Sequence, residues 1–223
     1  MKVSIIVPVL NEDQNLAGFL SQLQPFRYSG HEIIVVDGGS TDNSLMIAND
    51  SADTVIVSKA GRALQMNNGA SVATGDIFLF LHADTVLPAN ALEHILPFDR
   101  NDTLWGRFDI RLSSNNIIYR FIEWFVNFRS RLTSIATGDQ AIFVQRELFE
   151  KINGFPEIVL MEDIALSRLL KKISSPLCLK QKVITSSRRW ESNGVVATIF
   201  LMWKLRLYYF LGVSPEKLSQ LYR

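Results

Sequence analysis

Short apolar runs alternate with amphipathic segments along the first third of the chain. Near-continuous apolar runs of this length are typical of parallel strands buried on both faces. The three clearest runs are Ser4-Ile-Ile-Val-Pro-Val-Leu-Asn-Glu12, Glu32-Ile-Ile-Val-Val-Asp37 and Ile77-Phe-Leu-Phe-Leu81. The segments between and after them predict helices at 13–23, 43–50, 62–73 and 88–96, and a short strand at 54–58. This βαβα order predicts an α/β fold with a doubly wound, mixed but mostly parallel sheet.

The pattern is less regular in the second half. Residues 104–112 alternate large apolar and polar side chains, which predicts a half-exposed strand. Residues 116–132 predict an amphipathic helix whose apolar face is expected to pack on the core, with a membrane surface as the alternative. That face comprises Ile118, Phe121, Ile122, Phe125, Phe128 and Leu132. A strand at 141–144, a helix at 163–172 and two helices in 195–222 complete the prediction, which therefore has a helical C-terminal part.

The composition bears on partners and location. The formal net charge of +1 provides no basic field for binding nucleic acid. A single cysteine, Cys178, leaves no internal disulfide to form. The chain shows neither a signal-peptide pattern nor an apolar run of about 20 residues that would span a bilayer. We therefore expect a cytoplasmic protein, with peripheral contact at the inner face of the membrane left open.

Acidic residues follow each of the three apolar runs. Ligands of open parallel sheets bind beyond the carboxyl ends of the strands, so Glu12, Asp37, Asp42 and Asp84 are expected to collect at one edge. Such a cluster repels itself unless a cation or hydrogen-bond donors neutralise it. A divalent cation bound to a nucleoside diphosphate would supply the missing charge.

Five motifs, in order along the chain, resemble the family-two glycosyltransferases of the GT-A fold. They are Ile5-Ile-Val-Pro-Val-Leu-Asn-Glu12, Val36-Asp-Gly-Gly-Ser-Thr-Asp42, Leu81-His-Ala-Asp84, Met161-Glu-Asp163 and Arg188-Arg-Trp190. Two further segments resemble a small bacterial subgroup of that family, Gly61-Arg-Ala-Leu-Gln-Met66 and Gly138-Asp-Gln140. The resemblance implies one domain over 1–223, with a nucleotide-binding half at 1–100, an acceptor and catalytic half at 101–192, and C-terminal helices at 193–223.

The resemblance implies a nucleotide site at the ends of the first two strands. Asp37 would bond the uracil or ribose of the donor, and Gly38 would let the backbone approach it. As a turn cap, Asp37 would only hold the glycines that follow it. Pro8, Asn11 and Glu12 would close the other side of the pocket, although Glu12 is also placed to cap the following helix.

Three residues are candidates for the diphosphate side. Arg62 opens a predicted helix, where an arginine and free amides together can clamp a diphosphate; a solvated surface arginine is the alternative. By resemblance to the family's Asp-x-Asp motif, Asp84 is the expected metal ligand. His82 stands at the first acid of that motif. The expected cofactor is therefore a divalent cation on Asp84, either Mg²⁺, which prefers oxygen ligands, or Mn²⁺, which tolerates imidazole. The alternatives for His82 are a hydrogen bond donated to the ribose, or a bond to the backbone at the strand end.

The acceptor side is expected at the second acidic pair. By resemblance, Asp163 is the general base that takes the proton of the acceptor hydroxyl, and Glu162 tunes its environment. Two acids in the first turn of a helix could also serve only the helix dipole. Asp139 is a further candidate. Arg189 would stabilise the departing diphosphate, and Trp190 would either stack on a sugar or anchor the core.

The sequence therefore predicts a metal-assisted, inverting glycosyltransferase that moves one sugar from a nucleoside-diphosphate sugar, expected to be UDP-linked, to an acceptor hydroxyl. A nucleotidyltransferase and a non-catalytic nucleotide-sugar-binding protein are the alternatives. The acceptor is unknown. Trp203, Lys204 and Arg206 lie on an amphipathic C-terminal helix that would suit a lipid-linked acceptor at a membrane surface, and packing of this helix against the sheet is the competing interpretation.

Overall fold

The computed structural model describes residues 1–96 and 104–222. Within these ranges the strands are β1 Val3–Val9, β2 Glu32–Asp37, β3 Thr54–Val57, β4 Ile77–Phe80, β5 Thr85–Val86, β6 Trp105–Leu112, β7 Phe143–Gln145 and β8 Leu177–Thr185. The helices are α1 Asp13–Tyr28, α2 Ser44–Ser51, α3 Arg62–Val72, α4 Ala91–Ile95, α5 Ile117–Thr133, α6 Arg146–Lys151, α7 Glu162–Leu170, α8 Arg188–Asn193, α9 Val195–Phe210 and α10 Pro215–Tyr222.

All eight described strands form one sheet in the order β3-β2-β1-β4-β7-β6-β8-β5. Strands β1 to β4 pair in parallel, whereas β7 is antiparallel to both of its neighbours. Buried apolar side chains cover both faces of the sheet as two separate clusters. The predicted α/β fold with a mostly parallel sheet is therefore confirmed.

The structure differs from the sequence prediction in the length of one helix and in several elements that were not predicted. Helix α1 continues beyond the predicted 13–23 to Tyr28, with Pro25 inside it. Strand β8 and the short helices α6 and α8 are elements that the sequence pattern did not predict. Strand β8 escaped prediction because its polar and apolar residues do not alternate regularly. The boundary proposed between residues 100 and 101 lies outside the described residues.

The prediction that residues 104–112 form a half-exposed strand is wrong about exposure. In β6, seven of the eight residues are buried, including Arg107 and Asp109. Arg107 pairs with Asp109, which also accepts a hydrogen bond from Arg131 of α5 at 2.6 Å. Arg107 and Asp109 therefore pair with each other and with α5 instead of facing water, whereas Arg111 is exposed.

The expectation that the apolar face of α5 packs on the core is also wrong. Ile122 is buried, but Phe121, Phe128 and Leu132 are 68%, 50% and 74% exposed. The buried residues of α5 are instead mostly polar, and all except Ile122 belong to the opposite face: Tyr119, Ile122, Glu123, Asn127 and Ser130.

The reason for this orientation lies in β6. Strand β7 pairs with β6 only at Trp105 and Gly106, so the far end of that edge lacks a strand partner. Asn127 replaces the missing strand: its side chain accepts from the backbone N–H of Ile110 at 2.9 Å and donates to the Ile110 carbonyl at 3.1 Å. Glu123 accepts from the N–H of Leu112 at 2.7 Å. Buried backbone groups need such partners, so the polar face turns inward.

Candidate active site

The carboxyl ends of β1, β2 and β4 lie side by side at one edge of the sheet. Val9 at the end of β1 pairs with Asp37 at the end of β2, and β4 follows β1 on the other side. His82 and Asp84 come directly after β4. The strand order thus brings the acidic turns of the nucleotide-binding half to the same edge.

Asp37 has one oxygen engaged and one free. The carboxylate is 2% exposed, and its Oδ2 accepts hydrogen bonds from the backbone N–H groups of Gly39 and Ser40, both at 2.9 Å. Its Oδ1 has no partner among the described residues. Asp37 therefore caps its turn with one oxygen, while its other oxygen is buried and without a partner among the described residues.

Gln65 of α3 holds the ends of β1 and β2 together from below. Its amide donates to the carbonyls of Val9 and Val36 at 2.9 and 2.8 Å. Gly38 sits on this amide so closely that a Cβ on Gly38 would lie 3.1 Å from Gln65 Nε2. A side chain at position 38 would therefore press on the Gln65 amide and force it to shift.

Asn11 and Glu12 form the other side of this edge. Asn11 has a left-handed backbone, φ 53°, and its side-chain oxygen accepts from the N–H of Thr41 at 2.8 Å. The Glu12 carboxylate makes no capping hydrogen bond to α1 and lies 3.8 Å from Arg188. Desolvation raises the pKa of Glu12; Arg188 acts against this and Asp84 adds to it. Pro8 is half-buried inside β1.

A cleft of about 590 Å³ opens beside this edge. Its polar lining includes many of the predicted site residues, which the chain supplies from distant segments: Arg62, His82, Asp84, Asp139, Glu162, Asp163, Arg188 and Arg189. Pro8, Asn11, Glu12, Asp37 and Gly38 are outside this lining, at the ends of β1 and β2. The predicted site is therefore divided between the cleft and the strand ends next to it.

Arg62 is the first residue of α3, as the sequence predicts, and it faces several acids. Desolvation opposes its charge, but Glu162, Asp163 and Asp84 outweigh that effect and raise the pKa of Arg62. His82, next to Arg62, is affected in the opposite sense. Burial, and then the charge of Arg62, lower the pKa of His82 to about 3, so the imidazole is neutral at pH 7.

The His82 ring lies against Gly138, where a Cβ would come within 2.6 Å of Nε2. Asp84 is exposed, and its Oδ1 accepts from the hydroxyl of Thr85 at 3.2 Å. Within the described residues, no group of three or more histidine, cysteine or acidic side chains is arranged to hold a metal ion. One exposed carboxylate beside a neutral imidazole fits a divalent cation whose other ligands come from a diphosphate.

Glu162 and Asp163 form the first turn of α7 at the floor of the cleft. Met161 precedes them with a left-handed backbone, φ 71°, a strained conformation for a residue with a side chain. Asp163 accepts from the N–H of Gly138 at 2.8 Å and from the N–H of Ile164 at 2.7 Å. The Asp163 carboxylate is thereby attached to the Gly138–Gln140 turn.

Both acids hold protons more tightly than usual. Desolvation raises the pKa of Asp163, against the effect of the two backbone N–H groups and Arg206. Desolvation, and then the neighbouring Asp163, raise the pKa of Glu162 to about 7. The pair combines burial with a nearby like charge, the arrangement that sets the pKa of a general base near neutrality.

The Arg188-Arg-Trp190 motif lies in α8, with its three side chains pointing to different places. Arg188 is exposed, donates to the hydroxyl of Ser186 at 3.0 Å and lies 3.8 Å from the Glu12 carboxylate. The guanidinium of Arg189 stacks 3.7 Å from the ring centroid of Tyr222 and donates to the Tyr222 carbonyl at 3.2 Å. Trp190 is half-buried against a small apolar cluster between β6 and α5. Arg189 is therefore held by α10, and Trp190 contributes to packing while it also lines the cleft.

Sequence reasoning did not identify Arg129 and Tyr222 and gave Arg206 no role at the acids. Arg206 and Tyr222 line the cleft, and Arg206 lowers the pKa of Asp163. The Nε and Nη2 atoms of Arg129 are buried and have no partner in the described part of the chain. Burial, and then Arg206, lower the pKa of Arg129 to about 10, so it stays protonated at pH 7. In the sequence, Arg129 lies inside an apolar helical pattern, and this was the signal that could have identified it.

The sequence profile of glycosyl transferase family 2 matches residues 4–151 of this chain. Among similar proteins, a PGL/p-HBAD biosynthesis glycosyltransferase of Mycobacterium bovis is 33% identical over 164 residues, covering 68% of this chain and 62% of the relative. The corresponding protein of Mycobacterium tuberculosis gives the same values. The chain therefore spans less than two thirds of the length of these relatives.

Solved structures with the same fold include several glycosyltransferases. S. aureus TarS in complex with UDP-GlcNAc is similar at a TM-score of 0.66 and 20% identity, covering 83% of this chain and 58% of that one. The mannosyltransferase PcManGT of Pyrobaculum calidifontis, in complex with GDP-Man and Mn²⁺, is similar at a TM-score of 0.61 and 22% identity, covering 82% and 56%. These similarities show the GT-A fold.

Proposed function

The chain belongs to glycosyl transferase family 2, and on that premise we propose that it is an inverting, metal-assisted glycosyltransferase that acts on a UDP-sugar. Its donor binds across the ends of β1 and β2 with the diphosphate against Arg62. An acceptor hydroxyl enters the cleft and attacks the anomeric carbon in one step. Family membership favours this reaction over nucleotidyl transfer and over binding without catalysis.

The observation that carries the proposal is the position of Asp163. Its carboxylate lines the same cleft as Arg62 and Asp84, although the three come from α7, the start of α3 and the loop after β4. Two backbone N–H groups fix its orientation and leave other lone pairs free. A fixed carboxylate close to the diphosphate side can take the acceptor proton as attack occurs.

The other residues bind and orient. Arg62 offers its guanidinium to the diphosphate, and Oδ1 of Asp37 accepts a hydrogen bond from the base or ribose. Asp84, together with phosphate oxygens of the donor, would hold a divalent cation, which supplies positive charge to the leaving diphosphate. Structures of the same fold contain Mn²⁺ or Mg²⁺ with UDP, which supports this assignment. Arg189 keeps α8 and α10 together at the rim, and its role at the diphosphate stays a prediction.

Substitution of Asp163 by asparagine tests the general base. Because the acceptor is unknown, the readout is release of UDP from UDP-glucose or UDP-GlcNAc with water as acceptor, in the presence of Mn²⁺. We expect Asp163→Asn to lower this rate about 10²–10⁴-fold. UDP affinity by calorimetry is expected to stay within about threefold.

Glu162→Gln is the matched control, since it removes the neighbouring charge of the pair; we expect it to cost less than about tenfold. The amide of Asp163→Asn keeps only one of two backbone hydrogen bonds, so thermal unfolding of both variants must be compared. If Asp163→Asn released UDP at the parent rate, the base would be another acid, and Glu162 and then Asp139 would be tested.

The metal assignment has a readout that does not need turnover. We expect Mn²⁺ to tighten UDP binding to the parent, and Asp84→Ala to bind UDP equally with and without Mn²⁺ while its melting temperature is retained. His82→Asp is the companion variant. An unchanged preference between Mn²⁺ and Mg²⁺ in that variant would show that His82 is not a metal ligand.

The partners beyond the donor are also proposals. The acceptor hydroxyl is unidentified, and a lipid-linked acceptor with peripheral membrane contact is the proposal developed below. The cytoplasmic location, with contact at the inner membrane face left open, stays a prediction. Among the described residues, no helix is long and apolar enough to cross a bilayer.

A further inference from the structure

Two neighbouring helices present most of their large apolar side chains to solvent. More than half of the exposed large apolar residues in the described chain belong to α5, to α9 or to the residue after α9. They are Ile117, Ile118, Phe121, Trp124, Phe125, Phe128, Leu132, Val196, Phe200, Trp203, Leu207, Phe210 and Leu211. We call this set the α5–α9 face. Soluble monomers rarely expose such a set on adjacent elements without a binding role.

The face is continuous across the two helices. Phe125 of α5 and Trp203 of α9 have ring centroids 5.9 Å apart, and Trp124 stacks on Phe128 at 5.3 Å. A shallow groove of about 480 Å³ runs between the helices. Its lining combines four apolar and three cationic side chains: Phe125, Arg129, Phe200, Trp203, Lys204, Arg206 and Leu207.

The charge of these helices is strongly positive. They carry five cationic residues against a single acid, Glu123, which is buried: Arg120, Arg129, Arg131, Lys204 and Arg206. The helices therefore contribute +4 to a chain whose total is +1, so the rest of the chain is −3. Arg129, Lys204 and Arg206 form no ion pair with the described residues.

The same face leads into the catalytic cleft. Phe125, Trp203 and Arg206 line both the groove and the cleft that contains Asp163. A molecule lying on the α5–α9 face can therefore extend a polar group past this aromatic pair to the carboxylate. The apolar surface is thus connected to the acceptor side of the site.

We propose that the α5–α9 face binds the surface of an anionic lipid bilayer and that the acceptor hydroxyl reaches Asp163 from that surface. The second part rests on the proposed function. Exposed Trp and Phe suit the interfacial region of a bilayer, and the cations suit anionic head groups. A second copy of the chain fits less well, because a two-fold contact through this face would bring Arg129, Lys204 and Arg206 of both copies together.

Vesicle flotation tests the surface without any sugar transfer. The complete chain is mixed with vesicles of phosphatidylcholine alone or with about 30% phosphatidylglycerol. We expect binding to the anionic vesicles to be at least about tenfold stronger than to the neutral ones, and to weaken as salt is raised. Equal or absent binding to both vesicles would overturn the proposal.

Single substitutions locate the contact. Trp124→Glu on α5 and Phe200→Glu on α9 are each expected to reduce anionic vesicle binding about tenfold. Tyr28→Glu is the matched control, since Tyr28 is an aromatic residue 82% exposed on α1, and it should bind like the parent. Equal loss in all three variants, or none in any, would overturn the location.

Two further measurements separate the alternatives. If light scattering gave twice the mass of one chain for the parent and the mass of one chain for Trp124→Glu, the α5–α9 face would bind a second copy instead of a membrane. UDP binding by calorimetry is expected to be unchanged in Trp124→Glu, because Trp124 lies outside the cleft. Failure to bind UDP in the parent would count against the proposed function, whereas failure to bind vesicles would count only against this surface.

Discussion

Helices α1 and α5 have similar lengths and both carry apolar side chains at helical spacing, but they face opposite ways. In α1 the buried residues are all apolar: Leu16, Phe19, Leu20, Leu23 and Phe26. In α5 the buried residues are mostly polar, and the apolar side chains form half of the α5–α9 face. The periodicity identifies a helix in each case, and what the helix covers decides which side is inside.

The difference comes from the strands beneath. Strands β1 and β2 pair with neighbours on both sides, so their backbone groups need nothing from α1 except apolar cover. The exposed edge of β6 beyond β7 needs hydrogen-bond partners, and α5 supplies them through Glu123 and Asn127. A buried backbone group without a partner costs about 1–3 kcal/mol, and α5 avoids this cost at the N–H and C=O of Ile110 and at the N–H of Leu112.

The largest expected effect comes from two leucines in the contrasting helices. Leu20 in α1 is fully buried, so Leu20→Ala should lose about 2–5 kcal/mol of unfolding free energy through lost transfer and cavity terms. Leu132 in α5 is 74% exposed, and Leu132→Ala should change stability by no more than about 0.5 kcal/mol. Urea denaturation measures both. A similar loss in the two variants would mean that α5 buries its apolar face after all.

The next largest effect concerns the polar side of α5. Asn127→Leu removes both side-chain bonds to Ile110 and leaves its backbone groups buried without partners, for an expected loss of about 2–4 kcal/mol. Asn15→Leu, on the exposed side of α1, is the matched substitution and should stay within about 0.5 kcal/mol. Equal stability of these variants would show that water can replace Asn127.

The third effect is a dependence of stability on pH, and it is expected for one of two buried acids. Glu123 accepts from a backbone N–H and from Arg120, whereas burial raises the pKa of Glu162 to about 7 from an ordinary 4.5. The folded state therefore favours the protonated Glu162. This contribution to stability is present below pH 4.5 and is lost as pH rises through 7, by about 3 kcal/mol.

Thermal unfolding between pH 4.5 and 8 checks this dependence. Glu162→Gln should flatten the decline and be more stable than the parent at pH 8, because an amide has no charge to desolvate. A parent whose stability rose with pH over this interval would contradict the assignment of a raised pKa to Glu162.

Local pattern alone determined much of this protein. The apolar runs before Glu12, Asp37 and His82 specified buried parallel strands, and the order of strands and helices specified the class of fold. Arg62 at a helix start and the Glu162–Asp163 pair in a first turn were also readable, because capping and dipole preferences act within a few residues. The strand ends then had to meet at one edge, since parallel neighbours share their direction.

Only the tertiary structure decided what depends on distant partners. It divided the predicted residues between the cleft and the ends of β1 and β2, and it showed that Asp37 keeps one oxygen free while its other caps a turn. It turned α5 over because the edge of β6 lacks a strand, and it brought Arg206 beside Asp163. Buried backbone groups and buried charges find their partners across the whole fold. A local pattern therefore predicts that a segment is helical, but not which side of the helix faces the core.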